Sequence, residues 1–169
     1  MGIFRELGMR EGKDRVNEEV VYNIARSYSL IENYTTRFLA AYNLSPAKFN
    51  IMLTAKHVGK EKGVAQNAIS KLLLVTTSNM THMIDRLQKD EYVERVNQEG
   101  DRRVNLIKIT KKGSDLLDTI WPHYKAKIDK LVGASLSSPE KTHINRLLEK
   151  IKDVVKKDGS HVEVPRHEK

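Results

Sequence analysis

Residues 76–110 read TTSNMTHMIDRLQKDEYVERVNQEGDRRVNLIKIT, and the fold is decided there. Met80, Ile84 and Leu87, with Met83 beside them, recur at helical spacing and predict one buried face. Ser78, Asn79, His82 and Arg86 fall on the opposite face. Thr76 or Thr77 suits the N-cap, because a hydroxyl there accepts from a free backbone N–H of the first turn. A helix laid in a major groove brings its N-terminal residues to base edges, where Ser, Thr, Asn and Arg supply matching donors and acceptors. An ordinary surface helix carries the same residue types, so the neighbouring segments have to decide.

Upstream, 67–75 (NAISKLLLV) reads as a second short helix with Ile69, Leu72 and Leu73 apolar, which gives helix-turn-helix spacing. Downstream, 92–96 and 104–109 are β-prone runs separated by NQEGDRR, a turn-rich segment that contains Gly100 and carries charge at its tip. A hairpin placed after a recognition helix is a wing. Over 93–112 six basic residues stand against three acidic ones, whereas 76–92 is net −1, so the positioning charge sits on the wing, on the loop before the motif and at Lys71.

Met80-Thr81, Ile84-Asp85-Arg86-Leu87, Tyr92-Val93-Glu94-Arg95, Asp101-Arg102-Arg103 and Ile109-Thr110-Lys111-Lys112-Gly113 together resemble the winged helix-turn-helix of the MarR family of bacterial transcriptional regulators. The match is tight over 44–117. It implies a mainly α fold with a small β wing, in one chain spanning 1–169. A DNA-binding part at 44–113 would lie between dimerisation helices at 16–43 and 114–157, with a tail at 158–169. It further implies a cytoplasmic homodimer that binds double-stranded DNA at a pseudo-palindromic operator, represses by excluding polymerase, and is open to release by a small aromatic effector. The implied DNA-binding residues are Lys71, Thr77, Ser78, Asn79, Thr81, His82, Arg86, Asp101, Arg102 and Arg103. Arg103 would enter the minor groove, where narrow A·T-rich tracts attract arginine; Asp101 would orient it, and Asp85 would brace the wing. Where the family usually has leucine and a small alanine, this chain has Ile69 and Ser70, whose hydroxyl can bond back to its own helix. A winged helix that binds a partner protein instead of DNA is the alternative reading.

Elsewhere the chain argues mostly by exclusion. Its 169 residues are 39% hydrophobic, enough for a small core and a dimer interface but not for two large domains. The charge is 30 − 22 = +8, which favours a polyanionic partner without choosing among DNA, RNA and anionic membrane. The lack of cysteine excludes a disulfide framework, a thiolate nucleophile and a cysteine-based oxidant sensor. No run approaches membrane-spanning length, the amino end has no signal-type apolar region, and Glu6 stands where myristoylation needs Ser or Thr. His82 and Asp85 have no third ligand or nucleophile spaced to join them, and the six histidines show no H-x-x-x-H pairing, so neither a metal site, a cofactor nor an enzyme is expected.

The flanks predict helices. Over 17–43, Val20, Ile24, Ile31, Phe38 and Leu39, helped by Tyr28, Tyr34 and Tyr42, form a stripe wider than one winged domain can cover. Ser45-Pro46 opens a helix with Phe49, Met52 and Leu53 apolar. The segment 56–63 (KHVGKEKG) is predicted as a solvated polar loop and lacks a phosphate-binding pattern. After a cap at Thr110, a helix carrying Leu116, Leu117, Ile120, Trp121, Tyr124, Ile128 and Leu131 should kink or split near Ile120, because of Pro122. Relatives in the resembled family bind aromatic effectors near that joint, which makes Tyr28, Tyr34, Met52, Trp121 and Tyr124 effector candidates beside the plainer reading as aromatic core. Ser138-Pro139-Glu140 opens the last helix, with Ile144, Leu147, Leu148, Ile151, Val154 and Val155 on one face and Gly159 expected to end it.

Overall fold

A computed structural model describes residues 2–98 and 101–158, with the side chains of 98 and 101–104 outside the description. The wing tip at 99–100, the helix stop expected at Gly159 and the rest of the tail therefore lie outside the described residues. The chain runs through α1 (Ile3–Glu6), a 3-10 turn (Lys13–Arg15), α2 (Val16–Ala40), α3 (Pro46–Thr54), a π-helical turn (Ala55–Gly59) and β1 (Val64–Ala65). It continues with α4 (Gln66–Leu73), α5 (Thr77–Lys89), β2 (Val93–Gln98), β3 (Asp101–Ile109), α6 (Lys111–Gly133) and α7 (Ser138–Asp158). Two compact units divide between Trp121 and Pro122.

In the first unit the core joins α3, α4, α5 and the sheet. Phe49, Ile51, Met52, Ile69, Met80, Ile84, Leu87, Val93, Ile107, Leu117 and Ile120 are all fully enclosed. Each such side chain contributes about 1.5–3 kcal/mol on burial, against about 1 kcal/mol for a helix cap, so packing holds α5 in place and the cap only sets where it starts. Ser45 caps α3 as expected: its hydroxyl accepts from Lys48 N at 3.3 Å, with Pro46 at the first position.

The sheet is antiparallel in the order β1-β3-β2. Both wing strands outrun the sequence expectation. The ladder runs regularly from Val93 opposite Ile109 to Asn97 opposite Asn105, then shifts so that Gln98 meets Asp101. Strand β1 was not expected at all. Its pairs, Val64 with Ile107 and Ala65 with Leu106, need close approach at two glycines. A Cβ on Gly59 would lie 3.1 Å from Val64 N, and one on Gly63, at φ +81°, would lie 3.2 Å from the Ile107 carbonyl oxygen. The predicted loop at 56–63 is thus corrected: its first part belongs to a π-helical turn in which Ala55 and Gly59 are buried, because β1 packs on it.

Three further expectations are adjusted. The first motif helix ends at Leu73, and Leu74 closes it in the left-handed region at φ 54°. Consecutive leucines point about 100° apart on a helix, so they cannot all face the core, and Leu72 is 60% exposed while Ile69 is buried. Helix α2 stops at Ala40, with Asn43 at φ 54° turning the chain. Ahead of it, Ile3 and Phe4 of the unexpected α1 are buried, and Phe4 meets Tyr22 edge-on at 5.8 Å and the Arg15 guanidinium at 4.4 Å.

Proline does not split α6, which is a single helical segment with Pro122 inside it. In the second unit α7 is capped one residue earlier than expected. The Ser137 backbone N–H and hydroxyl both donate to Glu140 Oε2, at 2.8 and 2.6 Å, and these bonds hold the Glu140 carboxyl below the usual glutamate range. No residue of α7 is buried, and Ile144, Leu147, Leu148, Ile151, Val154 and Val155 all meet solvent.

Candidate nucleic-acid interface

The reading helix α5 is built from its cap inward. Thr76, in extended backbone geometry, accepts from Asn79 N at 3.4 Å, so Thr76 is the cap and Thr77 opens the helix. With Met80, Ile84 and Leu87 fully buried, Thr77, Ser78, Asn79, His82 and Arg86 are left exposed on the outer side. The side chains of Ser78, Asn79, His82 and Arg86 have no hydrogen-bond or ionic partner among the described residues, which leaves their donors and acceptors available. Lys71 is exposed in the last turn of α4. Thr81 is only partly exposed, and its hydroxyl is already engaged. It donates to the Thr77 carbonyl at 3.0 Å and accepts from Gln66 Nε2 at 2.9 Å.

The far end of α5 is tied to the wing and to α3. Arg95 on β2 forks across to Asp85 at 2.5 Å and Gln88 at 2.7 Å, so Asp85 braces the wing as the resemblance implied. Lys48, only 15% exposed at its side chain, reaches Asp90 at 3.4 Å. At the next residue Glu91 turns left-handed, at φ 61°, and the chain passes into β2. The Thr110 hydroxyl donates to the Glu91 carbonyl at 2.7 Å and accepts from Gly113 N at 3.0 Å, confirming it as the α6 cap. Lys112 meets the Glu91 carboxylate at 2.8 Å. That hydrogen bond and the attached charge hold Glu91 below the usual glutamate range and push Lys112 up. Together these contacts fix the joint between reading helix and wing to the start of α6.

Asp101, Arg102 and Arg103 belong by backbone to β3 rather than to the connecting loop, and their side chains lie outside the described residues. None of the described ladder pairs includes 102–104, where the register shifts. The effector candidates fall in both units. Tyr28, Tyr34 and Trp121 are exposed in the first unit, Met52 is sealed in its core, and Tyr124 belongs to the second. Proximity to the Glu32 carboxylate raises the Tyr28 phenol, and partial burial raises that of Tyr124. Gln66 escaped the sequence reading because its role depends on β1, a two-residue strand that carries no periodicity to detect.

The model of the family "Transcriptional regulator SarA/Rot" matches residues 34–120. Among curated proteins, the chain is 27% identical over 128 residues to the HTH-type transcriptional regulator MhqR of Bacillus subtilis, covering 76% of this chain and 86% of that one. It is 29% identical over 133 residues to the HTH-type transcriptional regulator PecS of Dickeya dadantii, covering 78% and 79%. Among solved structures, a mutant MarR from E. coli complexed with operator DNA superposes with a TM-score of 0.73 at 18% identity, covering 83% of this chain and 99% of that one. That likeness concerns the fold. No described helix is long and apolar enough to cross a membrane.

Proposed function

The chain belongs to the SarA/Rot family of transcriptional regulators, MarR-like winged helices that bind DNA, and from that premise we propose how its own residues divide the work. One observation carries the proposal: α5 has a sealed apolar face and, opposite it, an unpaired polar face beginning at its N-terminus. Laid in a major groove, Ser78, Asn79, His82 and Arg86 meet base edges or nearby phosphates, while Lys71 and the exposed end of α5 at Thr77 contact the flanking backbone. Arg102 and Arg103 supply the wing charge, with Asp101 orienting Arg103. Two copies paired through their flanking helices address half-sites about 34–36 Å apart, and a dimer bound over a promoter represses. A ligand releases such a dimer by favouring a state in which the heads are wrongly spaced.

Sequencing the fragments that purified protein retains from its own genome gives the operator. On that operator, Asn79→Ala is expected to lose discrimination against random duplex; uniform weakening with discrimination intact would move Asn79 to backbone positioning. Arg103→Ala is expected to weaken both duplexes alike and reduce the salt slope by about one. Affinity unchanged across the salt series would remove the wing from the interface.

A further inference from the structure

We infer that Gln66 is a positioning residue for DNA reading, and that Thr81 serves the same purpose rather than reading a base through its hydroxyl. The inference rests on the DNA-binding assignment above and concerns residues on both motif helices. A threonine hydroxyl has one proton to donate and two lone pairs. In Thr81 the proton goes to the Thr77 carbonyl at 3.0 Å, and one lone pair takes the Gln66 Nε2–H at 2.9 Å. No proton remains for a base acceptor, and the one lone pair left, which only a base amino group could use, sits on a side chain that is only partly exposed. Gln66 is the first residue of α4 and directly follows β1, which is paired to β3 through Val64 and Ala65. Its amide therefore hangs the N-terminal half of α5 from the end of β1, an edge strand of the sheet. Arg95 hangs the C-terminal half from β2 through Asp85 and Gln88. Held at Thr81 and again one to two turns on, at Asp85 and Gln88, α5 is not free to roll about its axis, and a roll would carry Ser78, Asn79 and His82 off the base edges together.

The test is a double-mutant cycle on operator-to-random affinity ratio, using the retained genomic fragment and a random duplex of equal length. Gln66→Met keeps the side-chain length without a donor, and Thr81→Val keeps the shape without a hydroxyl. Each single change is expected to reduce the ratio about three- to tenfold, the worth of one such hydrogen bond, and the double change to reduce it no further. Thr81→Ser, which keeps the hydroxyl, is expected to recover the ratio lost in Thr81→Val. Loss in Thr81→Val without loss in Gln66→Met would overturn the inference by making Thr81 a base reader. Lower melting temperatures with every ratio unchanged would overturn it too, by reducing the pair to a stability contact. Wild-type protein that shifts no duplex at low salt would instead sink the DNA assignment itself, a result visible before any variant is made.

Discussion

Gly113 is the residue at which two segments come closest. A Cβ placed there would stand 2.1 Å from the Tyr92 carbonyl oxygen and 2.9 Å from Ile109 Cδ1, so the obstruction includes backbone that a rotamer change cannot clear. Its backbone N–H also donates the cap bond to the Thr110 hydroxyl, which fixes where α6 begins. Gly113→Ala has to push α6 away from Tyr92, just ahead of β2, breaking the Thr110 contacts to Glu91 and Tyr92. Overpacking of this kind costs about 1–3 kcal/mol, and the backbone clash puts this site at the upper end despite alanine's better helix propensity. Urea unfolding should show the loss as a lower midpoint at unchanged slope. A variant as stable as the wild type would mean that the α6–wing joint yields easily and cannot orient the wing.

Among the elements, the joint after α5 has a pH dependence of its own. Lys112 depresses the Glu91 carboxyl, so the contact contributes stability above the ordinary glutamate pKa of about 4.3 and loses it as pH falls through the lower folded value. Lys112→Met should therefore flatten the acid limb of the melting-temperature curve between neutral pH and pH 3 relative to wild type, at low salt. High salt should erase the difference, since both groups are exposed. Parallel curves would mean that the ion pair is no part of the joint. The same region shows what was legible in advance. The period of Met80, Ile84 and Leu87 and the two β-prone runs carried helix, wing and order, because each reflects burial on one face of a regular element. Residues 64–65 and the π-helical turn carried no such signal: two residues cannot display a period, and the turn forms only because Gly59 admits β1. For the site, residue types and spacing pointed to the outer face of α5. That the Thr81 hydroxyl also accepts from Gln66, fifteen positions away, is reported by no local pattern.

At the scale of the whole molecule, apolar surface predicts assembly. Val20, Ile24, Tyr28 and Ile31 recur along α2 at helical spacing and are each 37–63% exposed, while α7 leaves a second full stripe in solvent. Soluble monomers rarely leave contiguous apolar patches beyond a few hundred Å², and stable interfaces cover about 800 Å² per partner, so we predict that a second copy covers the α2 stripe. Sedimentation equilibrium should give twice the 19.4 kDa chain mass for wild-type protein. Ile24→Glu, which sets a carboxylate in the stripe and touches none of the reading residues, should shift that mass toward a single chain with helical content largely retained. Two linked heads gain about 10²–10⁴ in avidity over one, so the variant should lose operator affinity by a factor in that range while a half-site fragment is bound as the wild type binds it. If Ile24→Glu left the mass and the operator affinity untouched, the α2 stripe would not be the dimer seam; if wild type itself sedimented as one chain, paired half-sites would have no paired reader.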